Sequence, residues 1–117
     1  MMDNTDSNLL GQAQLYSQQI QSVMAQKSSF LMELNEVKCA LEEIGKTSEK
    51  FVFKLSGPIL IKVATAEMKK DLEEKEGMIN LRVKTLEKQE ARIKEKIDEL
   101  RNKIIKVRPS KGADKDE

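Results

Sequence analysis

The 117-residue chain is 35% charged, yet its formal net charge is only +1, and it holds 3% aromatic residues with no Trp and no His. So little aromatic bulk excludes an ordinary globular core, and near-neutrality excludes a global field that would steer nucleic acid or anionic membrane. The single cysteine, Cys39, excludes an internal disulfide framework and fits a reducing compartment.

Residues 1–8 are expected as a flexible N-terminus. Met1 to Asp6 is polar and acidic, where a secretory signal needs basic and then apolar residues. The stretch from Ser7 to Gln26 carries no charge but is dense in glutamine and serine. A membrane span needs about 20 mainly apolar residues, so a soluble, cytoplasmic protein is expected.

Residues 9–45 are predicted to form a first helix. Steps of four and three visit Leu9, Ala13, Tyr16, Ile20, Val23, Lys27, Phe30, Leu34, Val37, Leu41 and Ile44, with Lys27 the one charged position. That is the seam of a coiled coil. Gly45 is placed as the left-handed residue that closes the helix. Met24 and Met32 lie beside the seam, and Cys39 lies off it on the outward face.

Residues 50–64 are predicted to form a β-hairpin. Phe51 to Leu55 and Ile59 to Val63 flank a three-residue turn, Ser56-Gly57-Pro58. In that register Leu55 faces Ile59, Phe53 faces Ile61 and Phe51 faces Val63, which makes one face wholly apolar. A two-stranded hairpin is marginal by itself in water. Strands from further subunits could extend it into a sheet or barrel that removes exposed edges.

Residues 65–108 are predicted to form a second helix, with Thr65 as its N-cap and Pro109 as its stop. Its seam runs through Leu72, Glu76, Ile79, Val83, Leu86, Glu90, Ile93, Ile97, Leu100, Ile104 and Val107. The seams match in length, each roughly 50 Å at a rise of about 1.5 Å per residue, so the helices can pair antiparallel. Well-mixed charges, with pairs such as Glu90 and Lys94 at i, i+4, describe a solvated face and not a nucleic-acid surface. Residues 109–117 are expected as a flexible tail. The fold class expected is mainly α: an antiparallel two-helix coiled coil with one central β-hairpin that contributes to an oligomeric β-barrel body.

The run Phe53-Lys54-Leu55-Ser56-Gly57-Pro58-Ile59-Leu60-Ile61-Lys62-Val63, between matched heptad helices, resembles the hairpin of β-class prefoldin subunits, most closely the archaeal form. Lys84-Thr85-Leu86-Glu87-Lys88-Gln89-Glu90 resembles a run in that family's second helix, and the likeness covers roughly residues 9–107. A single hairpin fits the β class, because α-class subunits carry a second. The resemblance implies an ATP-independent holdase built as a hexamer of two α-class and four β-class subunits. It implies a β-barrel body, capture of non-native client proteins at the coiled-coil tips, and delivery to a group II chaperonin.

At the tips the residues expected to meet clients are Leu9, Leu10, Ala13, Tyr16, Leu100, Ile104, Ile105 and Val107, because terminal turns open most readily. The assembly hairpin is expected to act through Phe51, Phe53, Leu55, Ile59, Ile61 and Val63. No nucleotide motif, metal-ligand cluster or catalytic constellation is present, so neither a cofactor nor an enzyme is expected. No nucleic-acid or membrane partner is expected. A coiled-coil adaptor or scaffold that never binds unfolded chains is the alternative, distinguished by its failure to slow client aggregation.

Overall fold

A computed structural model describes residues 4–107, with side chains from 7 to 104. Helix α1 spans Asn4–Lys46, strand β1 Phe51–Ser56, strand β2 Ile59–Ala64 and helix α2 Thr65–Val107. The hairpin therefore sits between two long helices, as the heptads predict. Helix α1 starts at Asn4, ahead of the seam and of the expected start at residue 9. The seam marks where packing begins, whereas a helix gains one hydrogen bond per added residue and runs past its packed turns. Arg108 and the expected tail lie outside the described residues.

The helices divide into two compact units, residues 28–85 and residues 1–27 with 86–117. In the first, Leu34, Val37, Ile79 and Val83 form a buried cluster, with Phe30, Leu41 and Leu72 packed against it. All seven are seam positions. The pairing is antiparallel, because later residues of α1 meet earlier residues of α2. The Arg82 guanidinium lies over the Phe30 ring at 5.6 Å, and Lys75 reaches Glu33 at 3.9 Å. In the second unit Val23, Leu86 and Leu100 are buried, and every other described seam position is half-buried.

Three local expectations are corrected. Gly45 lies within α1, and among the described residues the only one with positive φ is Gly57. The last turn of α1 closes instead through a tighter bond from the Thr47 N–H to the Ile44 carbonyl, 3.3 Å. The Thr65 hydroxyl donates to the Glu49 carbonyl at 2.7 Å, and the Thr65 N–H donates to the Lys50 carbonyl at 2.9 Å. Thr65 thus fastens α2 to the chain entering β1 and does not act as the predicted cap.

The third correction concerns the hairpin. The register pairs Ser56 with Ile59, Leu55 with Leu60, Lys54 with Ile61, Phe53 with Lys62, Val52 with Val63 and Phe51 with Ala64. The turn therefore has two central residues, Gly57 and Pro58. Gly57 has φ of 59°, the value a type II′ turn demands at its first central position. Pro58 cannot take the second positive φ of a type I′ turn. A one-residue slip from the expected register turns β2 over relative to β1. The wholly apolar face disappears.

Candidate functional site: the hairpin faces and the distal helix turns

Cross-strand partners share a face of a sheet, so the register assigns both faces of the hairpin. Phe51, Phe53 and Leu55 share one face with Ala64, Lys62 and Leu60. The Lys62 ammonium lies over the Phe51 ring at 4.6 Å, a diagonal contact that only this register allows. Val52, Lys54 and Ser56 share the other face with Val63, Ile61 and Ile59. Val52 lines a shallow hollow with Ala40, Ile44, Met68 and Leu72, and its partner Val63 is half-buried.

Of the predicted hairpin residues, Phe51, Phe53, Leu55, Ile59 and Ile61 are exposed, whereas Val63 is not. The expectation missed Leu60, which is 64% exposed opposite Leu55 at 71%. These two form the most apolar pair on the face they share with Phe51 and Phe53. Six large apolar side chains thus stand in solvent on one two-stranded ribbon. A contiguous exposed apolar surface of this kind marks an interface, and both strands also offer a free edge for pairing.

At the other site the described residues are less open than expected. Leu9, Ala13, Tyr16 and Ile104 are half-buried, and Leu100 is 4% exposed. A groove through Leu100 therefore requires the helices to part. Leu10 is exposed, as its position off the seam implies, and so is Leu15, which the expectation missed although it too lies off the seam. The side chains of Ile105 and Val107 lie outside the described residues.

One charged layer interrupts the distal seam. The Lys27 ammonium donates to Glu90 Oε1 at 3.2 Å and lies 3.5 Å from Glu87 Oε2. Lys94 approaches Glu90 at 3.7 Å. The hydrogen bond to Glu90 raises the Lys27 pKa above its ordinary value, and the same bond holds the Glu90 carboxyl below the usual carboxylate value. Polar residues that meet within an apolar seam favour the alignment in which they satisfy each other. Glu76, the third polar seam residue, makes no ion pair among the described residues.

Among the described residues no helix is long and apolar enough to cross a membrane, and no group of three or more His, Cys, Asp or Glu could hold a metal ion. Cys39 is a free, exposed thiol. What this chain presents is apolar surface and paired helices.

The family model described as prefoldin subunit matches residues 7–109. The chain is 40% identical to the prefoldin subunit beta of Thermococcus onnurineus, over 89% of this chain and 91% of that protein. It is 40% identical to the prefoldin subunit beta of Pyrococcus furiosus, over 82% and 83% respectively. The crystal structure of the prefoldin beta subunit from Thermococcus strain KS-1 superposes with a TM-score of 0.84 at 32% identity, covering 92% of this chain and 95% of that one. The beta2 subunit from the same strain shares the fold, with a TM-score of 0.69 at 18% identity. A hairpin between matched heptad helices, a family match along nearly the whole chain and relatives matched over most of their length agree: the chain belongs to the prefoldin family of chaperone subunits.

Proposed function

We propose that this chain is the β-class subunit of a cytoplasmic, ATP-independent holdase, a hexamer of two α-class and four β-class subunits. The observation that carries the reading is the ribbon of six exposed apolar side chains with unpaired strand edges. Strands from neighbouring subunits complete it into a barrel, which buries both faces and removes the edges. The paired helices carry the client sites at their free ends, around Leu9, Leu10, Ala13, Tyr16, Leu100, Ile104, Ile105 and Val107. Terminal turns open at least cost, and opening them turns seam residues into an apolar groove.

One such end binds weakly. Several on one body act together, since the first contact raises the effective concentration of the rest. Release proceeds by transfer to a group II chaperonin, without a cofactor or an enzymatic step. The test is suppression of aggregation of a chemically unfolded model protein by the assembled oligomer, with nucleotide omitted. The reading expects aggregation to slow in proportion to added oligomer. An oligomer that leaves aggregation unchanged makes this an adaptor and not a holdase.

A further inference from the structure

Within the distal unit one side of the helix pair carries a groove floored by Val23 and Ile93, with Gln19 and Gln89 on its walls and Arg92 and Lys96 at its rim. Val23 is buried and Ile93 half-buried, while both cations are exposed. The α1 wall supplies no counter-charge, because no residue from Ser7 to Gln26 is charged. On α2, Glu90 is taken up by Lys27 and Lys94 and Asp98 by Arg101, while Glu95 and Glu99 stand three residues beyond Arg92 and Lys96 without bridging to them. Neither cation makes an ion pair among the described residues, whereas Lys27, Lys94 and Arg101 in the same unit do. In the other unit Lys75 and Arg82, at the heptad position of Lys96, have partners: Lys75 pairs with Glu33, and Arg82 lies over Phe30.

We propose that this groove selects extended segments of non-native polypeptide in which apolar side chains alternate with carboxylates; the inference rests on the client-capture reading above. In an extended strand alternate side chains point to opposite sides. One row can therefore settle on Val23 and Ile93 while the carboxylates of the other meet the rim. Arg92 offers a planar fork suited to a carboxylate, and Lys96 a point charge. Gln19 and Gln89 bring donors and acceptors for the segment's backbone. The client class is then acidic and apolar together, and purely basic segments are disfavoured by like charge.

The test uses the assembled oligomer and three fluorescein-labelled, unstructured peptides of equal leucine content, spaced by Glu, Gln or Lys, with anisotropy read at low and high salt. The Glu peptide should bind about fivefold to tenfold more tightly than the Lys peptide at low salt, within the roughly twofold to thirtyfold that two exposed charge pairs contribute. The preference should shrink as salt rises. The double variant R92Q/K96Q should lose the preference while keeping its affinity for the Gln peptide. K69Q/K70Q, an equal charge change outside the groove, should retain the preference. Equal binding of all three peptides by the native oligomer, or a preference that survives R92Q/K96Q, overturns the proposal while leaving client capture standing. An oligomer that binds no peptide and fails to slow aggregation overturns both.

Discussion

Lys27 and Glu90 show what a charge does inside an apolar seam. Each is stabilised by the other, so the sign of the pH dependence follows from both shifts. The Glu90 carboxyl lies below its usual value of 4.5, so its contribution is present above that value and is lost as pH falls through the depressed one. The Lys27 ammonium lies above its usual 10.5, so its contribution is complete below that value and is lost as pH rises through the raised one. Between those limits the pair is fully formed. Thermal melts of Glu90→Gln against the native chain should show a gap that is constant around neutrality and closes below pH 4.5. A gap that widened in acid would contradict the pairing. Gly77 is a simpler case. It lies inside α2 with nothing within 4 Å of where a Cβ would stand. Gly77→Ala should raise stability by about 0.5–1 kcal/mol through the entropy of the unfolded chain, seen as a higher melting temperature.

At the scale of elements, the helix seams were fully legible, the helix ends less so, and the hairpin only half so. Every described seam position read from the heptads is buried or half-buried, because burial in a helix pair depends only on a 3.5-residue spacing that sequence displays directly. The strands were legible from their β-branched and aromatic residues. Their register was not. Apolar residues at 51, 53, 55, 59, 61 and 63 are symmetric about Gly57, and that symmetry suggested a turn centred on it. The backbone obeys a different constraint: a positive φ at Gly57 followed by the fixed φ of Pro58 makes a two-residue turn and slips the partners by one. Burial could not arbitrate, because most of the ribbon's apolar surface is uncovered within one chain. The tip residues were legible as apolar, but the closure of Leu100 depends on its packing and not on its place near an end.

The corrected register sharpens a mutational test. Phe53 stands opposite Lys62, so an aspartate there gains a cation for a neighbour. Leu55 and Leu60 face each other with no charge between them. Leu60→Asp should therefore abolish assembly, since a charge enters an apolar interface without a partner. Helix content by circular dichroism should barely change, because the buried cluster of the helices lies elsewhere. A full-mass oligomer from Leu60→Asp would show that this face is not the interface.

At the scale of the whole molecule, the proposed division of labour places assembly at the hairpin and capture at the free helix turns. Removing residues 1–12 and 103–117 should leave the oligomer intact and reduce its capture of an unfolded model protein severalfold, because multivalent binding amplifies each weakened contact. Unchanged aggregation suppression would move the client site away from the ends.

The central claim is that one chain cannot cover its own ribbon and that copies of related subunits must. Native mass spectrometry of the full chain, alone and mixed with an α-class partner, tests it most directly. A discrete hetero-oligomer should form on mixing and persist on dilution, with four copies of this chain to two of the partner. A chain that stays monomeric across concentration, with and without the partner, while NMR shows its hairpin ordered, would contradict the account.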